Sequence, residues 1–325
     1  GSCPHAEMKE IHADVDVLIG NYKHVFDPTT VEAFTAGVLG DETILICDEA
    51  HGIVPEVRSQ LSYDTAYGTF EQSITDLETI IDWIQNSQQY PERATIAEKV
   101  LVMCEVEQYE LSGVRQFLID TRNVVAKLIT HELHEEFGPQ WMGRLGTVDR
   151  EARSVSLQDP KKPGMDSLQL WAKNNDREEH WKRTVTIAKI VGVIQQTVEQ
   201  RVEGSSPNGD YPIEQVGTLL ERWFYGSHTE YFREIELKPL ESPSGPTDSR
   251  PWRAGYYATL NVHNCIPQDE IAATLDELGG GILMSATLNP VDVYKEVSGA
   301  AKLRDGEQPE YGLVSRAIAS SGMRE

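Results

Sequence analysis

The chain has 325 residues, with 52 acidic side chains against 29 basic ones, a formal net charge of -23 and a sequence pI near 4.8. A hydrophobic share of 39% supports a packed core and argues against wholesale disorder. No stretch approaches the roughly 18 uninterrupted apolar residues that span a bilayer, and no basic-then-apolar leader is visible, so the expectation is a cytoplasmic protein without a membrane partner. Cys3, Cys47, Cys104 and Cys265 lie far apart with no CxxC pair, which fits a reduced compartment better than a disulfide framework.

The cations comprise 17 Arg and 12 Lys, and the acids are spread along the whole chain. Such a surface suits a halophile's concentrated salt, where self-repulsion is screened, which is the favoured expectation; an ordinary acidic protein is the alternative. It also predicts weak non-specific binding to nucleic acid.

In chain order, 15–21 reads as a strand, 28–38 as a helix, and the apolar run Ile44, Leu45, Ile46, Cys47 as a strand buried on both faces. From about Val57 the period changes to three and four, with Phe70, Ile74, Leu77, Ile80, Ile81 and Ile84 on one helical face. Helical patterns recur over 95–104, 106–137, 178–202 and 213–224, separated by loops expected at 138–164 and 204–210. After a Pro-rich linker at 239–253, a strand is predicted from Tyr256 to Val262, a helix over 268–278, a second apolar run at Ile282 to Met284, and a helix after Pro290. The predicted architecture is α/β: residues 1–56 and 253–325 form one partial domain with a parallel sheet, interrupted by a mostly helical insertion at 57–252.

Directly after the strand at 44–47 stand Asp48, Glu49, Ala50 and His51, at the edge where open α/β sheets place their ligands. Adjacent carboxylates there suit nucleotide hydrolysis, one holding hydrated Mg²⁺ and the other orienting the attacking water. A solvated acidic turn is the bland alternative. After the strand at 282–284 come Ser285, Ala286, Thr287 and Leu288, whose hydroxyls suit either a plain strand-to-helix cap or a switch between neighbouring carboxylates.

DEAH at 48–51 and SATL at 285–288 resemble motifs II and III of superfamily two helicases. The helical insertion between them resembles the arch of XPD-type iron–sulfur DNA helicases, with a RecA-like first motor domain around it. Residues 2–5 resemble the segment holding the last cluster cysteine, residues 21–28 a tyrosine-containing segment ending in Asp-Pro, and residues 282–294 the family's strand, motif III and following helix. The resemblance implies that Asp48 coordinates Mg²⁺, that Asp48 and Glu49 serve ATP binding, and that Glu49 positions water. It further implies that His51, Ser285 and Thr287 couple hydrolysis to movement, and that Cys3 is one ligand of a [4Fe–4S] cluster. The activity implied is ATP-driven, 5′ to 3′ unwinding of forked or single-stranded DNA, with repair or transcription proteins as possible partners.

No GxxxxGK(S/T) loop occurs, since no Gly precedes a Lys, and Cys47, Cys104 and Cys265 read as small core residues. The chain therefore reads as a helicase fragment that does not hydrolyse ATP alone, with a non-enzymatic scaffold built on a degenerate core as the alternative. His131 and His134 are three apart and do not make a zinc-protease site, which requires a spacing of four. Trp223, Phe224, Tyr225, Tyr231 and Phe232 suit core packing or base stacking. Trp171, Trp181, Lys173, Arg177, Lys182 and Arg183 suit a DNA contact or a solvated helix face.

Overall fold

A computed structural model describes residues 15–27, 30–35, 37–144, 151–157, 166–206, 209, 211–241, 250–288 and 290–303. The helices are α1 (Lys23–Phe26), α2 (Ile53–Leu61), α3 (Tyr67–Gln85), α4 (Pro91–Met103), α5 (Gln108–Phe137), α6 (Trp141–Arg144), α7 (Ser167–Asn174), α8 (Glu178–Val198), α9 (Pro212–Tyr225), α10 (Gln268–Asp276) and α11 (Val291–Val297). The strands are β1 (Ile44–Cys47), β2 (Tyr63–Ala66), β3 (Arg153–Ser156), β4 (Tyr231–Pro239), β5 (Tyr256–Asn264) and β6 (Gly280–Leu283). The chain divides into a split unit, residues 1–62 with 263–325, and a continuous unit, residues 63–262. None of the described helices is long and apolar enough to cross a membrane.

In the split unit β1 and β6 pair in parallel, Ile44 opposite Gly280 and Cys47 opposite Leu283. The alternation of a strand sends Cys47 toward Phe26, Ala50, Ile53, Val57 and Ile271, which form a small core. Ile44, Ile46 and Ile282 are instead 69%, 64% and 44% exposed, so one face of this pair is open rather than both faces buried as expected. Residues 15–21 form no strand: among the described residues they pair with nothing in a sheet, and Val17 and Ile19 are exposed. The helix expected over 28–38 is described only as a short π-helical stretch, Val31–Thr35.

The continuous unit carries the larger core, built from α3, α5, α8 and α9 against a sheet in the order β2-β5-β4-β3. Each large apolar side chain buried there contributes about 1.5–3 kcal/mol. On α9, Ile213, Val216, Gly217, Leu220 and Trp223 repeat at the spacing of one face, and all are buried. A methyl group at Gly217 would stand 2.5 Å from the Ala188 Cβ, so only hydrogen lets α8 and α9 approach this closely. The 30 residues of α5 reach about 45 Å at 1.5 Å per residue. This helix starts with a capping box in which the Glu110 carboxylate accepts the Glu107 N–H at 2.9 Å.

Two predicted boundaries shift. α2 runs unbroken through 56/57, and β5, expected in the motor-like domain, pairs antiparallel with β2 (Tyr63 opposite Val262) and therefore sits in the inserted unit's sheet. Residues 138–164, expected as loop, contain α6 and β3, because β3 finds a partner in β4 from Arg153 opposite Leu237 to Ser156 opposite Glu234. Cys47 is buried as predicted, whereas Cys104 and Cys265 are exposed; Cys104 caps α4 and Cys265 follows β5.

Arg233 on β4, fully buried, was missed as a core residue. Its guanidinium donates to the Trp223 carbonyl at 2.8 Å and the Gly226 carbonyl at 2.5 Å, and lies 3.7 Å from the Asp166 carboxylate. Asp166 in turn caps α7, accepting from Leu168 and Gln169, and accepts the Trp223 indole N–H at 3.0 Å. Burial pushes the Asp166 carboxyl up, and these donors with Arg233 pull it back. Arg233→Ala leaves a buried carboxylate without its cation, so a loss of about 3–5 kcal/mol is expected in denaturant unfolding.

Arg183 forms a two-pronged pair with Glu110, and this holds the Glu110 carboxyl below its ordinary value. A lowered carboxylate contributes stability that is present above its unfolded pKa and lost as pH falls through the folded one. Glu110→Gln is expected to cost about 1 kcal/mol at neutral pH and almost nothing at strongly acidic pH, which paired melts at the two pH values would read.

Candidate functional site at the β1–β6 edge

Parallel pairing aligns the carboxyl ends of β1 and β6, and the ladder continues past the strands: Met284 N–H donates to the Cys47 carbonyl at 2.9 Å, and Ala50 N–H to the Met284 carbonyl at 3.0 Å. Residues 48–51 and 285–287 therefore emerge side by side. Ser285 Oγ lies 3.0 Å from Glu49 Oε2 and 2.8 Å from His51 Nδ1. Thr287 meets Ser285 Oγ with its hydroxyl at 3.2 Å and its N–H at 3.3 Å. His51 Nδ1 is also 3.2 Å from Glu49 Oε2.

A serine hydroxyl has one proton and two acceptor sites. Ser285 therefore satisfies three of its four neighbours at a time: it donates to Glu49 and accepts from two among His51 and the two Thr287 groups. With His51 protonated on Nδ1, a hydrogen-bonded line runs from imidazole through hydroxyl to carboxylate. Glu49 and His51 remain 62% and 49% exposed, so both face solvent and any incoming ligand.

The turn carrying the acids is bent against local preference and then locked. Glu49 adopts φ 49° and ψ 40°, a left-handed conformation uncommon outside glycine. Asp48 Oδ1 accepts the Glu49 N–H at 2.8 Å, and the Glu49 carbonyl accepts the Gly52 N–H at 2.8 Å. Beneath it, the Tyr22 hydroxyl reaches the carbonyls of Asp48 at 3.0 Å and Glu49 at 2.7 Å. The Tyr294 hydroxyl on α11 donates to the Ala50 carbonyl. Burial first, then the Cys47, Glu49 and Asp48 charges, raises the Tyr22 phenol, so it stays a donor at neutral pH. Burial, then Asp48, pushes the Cys47 thiol up to about 11. Tyr294 is raised for the same leading reason.

Sequence reading placed Asp48, Glu49, His51, Ser285 and Thr287, and the structure brings these five together. It missed Tyr22 and Tyr294 as supports, although both stand in the stretches that resembled the helicase family; the residue nearest a local signal is Gly52, since a methyl group there would lie 2.9 Å from the Tyr22 ring. Cys3 lies outside the described residues. Among the described residues no three His, Cys, Asp or Glu side chains gather as a cage for a metal ion. Of the aromatic and basic candidates, Trp223 is core, and Trp181 is buried and stacked on Phe224 at 4.8 Å. Arg177 pairs with Asp120 at 3.1 Å and Arg183 with Glu110, so that stretch spends much of its charge internally.

Gly52→Ala is expected to displace Tyr22 and cost about 1–3 kcal/mol, and Tyr22→Phe about 1 kcal/mol. Urea unfolding followed at the split unit checks both, and an unchanged midpoint for Gly52→Ala would show that Tyr22 does not wedge this turn.

Residues 1–68, which include Tyr22 and the whole 48–51 turn, match the family model DEAD_2; the match spans 68 of the 325 residues. No curated protein matches the chain.

Proposed function

We propose that the chain is part of an ATP-dependent DNA helicase of the XPD type, travelling 5′ to 3′ on a single strand and serving DNA repair, with the β1–β6 edge as its hydrolysis-coupling site. The observation that carries this reading is the contact of Ser285 with both Glu49 and His51 across more than 230 residues of sequence. A structural cap would need only its local turn. A coupling device needs a hydroxyl that can exchange a carboxylate for an imidazole.

In this mechanism Glu49 orients the attacking water and takes its proton on a carboxylate oxygen held by Ser285. His51 and Thr287 compete for the remaining capacity of Ser285, so a change at Glu49 moves the hydrogen bonds of β6 and of the segment leading to α11. Magnesium, when bound with ATP, neutralises charge on the transferring phosphate. Asp48 fits that ion: an exposed single carboxylate suits a metal that keeps most of its waters and phosphate ligands. The [4Fe–4S] cluster finds no such fit among the described residues, because Cys47 is buried with its thiol held protonated and Cys104 and Cys265 stand exposed without a cysteine cluster. No step is assigned to it.

This chain alone, which has no glycine–lysine phosphate loop, is expected to show no useful ATPase activity. In a longer gene product that carries such a loop, ATPase stimulated by single-stranded DNA is expected, and Glu49→Gln should lower kcat by about 10³-fold while ATP still binds. Undiminished turnover in Glu49→Gln would sink the proposed role of this edge.

A further inference from the structure

Within the continuous unit, the last turns of α5 place Lys127, Thr130, His131 and His134 on one face, at positions i, i+3, i+4 and i+7. With Ala126, Trp141 and Arg250 they line a cleft of about 420 Å³. Every titratable group among these lining residues is basic, in a chain where acids outnumber bases 52 to 29.

The walls are built, not loose. Arg250 is held by the Glu71 carboxylate and the Tyr67 hydroxyl, the latter at 3.2 Å, and its guanidinium stacks over the Tyr67 ring. Trp141 is 3% exposed and forms an apolar floor. Thr130 donates its hydroxyl proton to the Ala126 carbonyl at 2.8 Å, which leaves its lone pairs toward an incoming donor. Lys127 is exposed and makes no ion pair among the described residues, while His134 Nδ1 has Glu135 3.7 Å away. A lysine and two imidazoles lining one cavity, beside an arginine that Glu71 and Tyr67 hold in the wall, suit a phosphate, which accepts hydrogen bonds from such donors. The volume exceeds what a bare phosphate fills and falls in the range of small-molecule sites, and the apolar floor offers contact to a sugar or base.

We propose that this cleft binds a nucleoside phosphate, either as a free nucleotide or as one unit of a single strand. The site lies wholly within the continuous unit and uses neither Asp48 nor Glu49.

The test is an imidazole NMR titration of the full chain, with His131 and His134 assigned among its nine histidines through His131→Gln and His134→Gln. The probes are inorganic phosphate, AMP and a short thymidine oligonucleotide. Saturable shifts of His131 and His134 are expected with AMP or the oligonucleotide, weakened at least about 10-fold in Lys127→Glu, a surface change whose unaltered helical circular dichroism confirms folding. Saturation by AMP identifies a free-nucleotide site, and saturation by the oligonucleotide alone identifies a strand contact; both support the proposal. It is overturned if neither nucleotide probe gives saturable shifts up to about 10 mM, if Lys127→Glu binds as the parent does, or if inorganic phosphate binds as tightly as the nucleotides.

Discussion

The parallel pairing of β1 with β6 is the constraint on which the candidate site rests. Four residues on each side set the register, Ile44 to Cys47 against Gly280 to Leu283, and everything at the carboxyl edge follows from it. A slip of one residue would turn Cys47 and Leu283 from the small core to the open face, and would carry Ser285 away from Glu49. The pair is short, so its register is reinforced outside the strands, by Met284 and Ala50 continuing the ladder and by Tyr22 and Tyr294 bonding the carbonyls of the turn. These two phenols are far apart in sequence, yet both act on residues 48–50.

The second constraint is how 200 residues interrupt that pair without separating its strands. Residues 63–262 begin and end on adjacent strands, Tyr63 opposite Val262, so the entry and exit of the insertion are hydrogen-bonded neighbours. Ser62 Oγ accepts the Asn264 N–H at 3.0 Å just beyond that pairing. The loop-closure cost of a long insertion is then met inside the inserted unit, by its own sheet and core. The buried Asp166, Trp223 and Arg233 knot belongs to the same economy. It ties the start of α7, the end of α9 and the start of β4 together where hydrophobic contact alone would leave the register open.

The acidity of the chain is organised locally. Arg177 and Arg183 are bound to carboxylates of α5, and Arg250 and Arg253 to Glu71, so several cations brace the helices of the continuous unit. Exposed surface pairs of this kind contribute little each, whereas two-pronged Arg pairs at helix starts fix geometry. The cleft lined by Lys127, His131 and His134 departs from that pattern at Lys127, which makes no ion pair among the described residues.

The sequence by itself determined what local period and composition can carry. Helical faces at 67–85, 108–137, 178–198 and 212–225 were legible because one side of each had to be apolar, and the 48–51 and 285–287 motifs were legible because acids and hydroxyls follow short apolar runs. The strand expected at 15–21 failed because an apolar run becomes a strand only where a neighbour offers hydrogen bonds. β3 was missed for the converse reason: Arg153, Ser154, Val155 and Ser156 look like loop until β4 pairs with them. Only the tertiary structure decided that β5 serves the insertion, that Arg233 lies in the core, and that Tyr22 locks the acidic turn. Each depends on a partner tens to hundreds of residues away, and no local pattern encodes which distant backbone or carboxylate a side chain will meet.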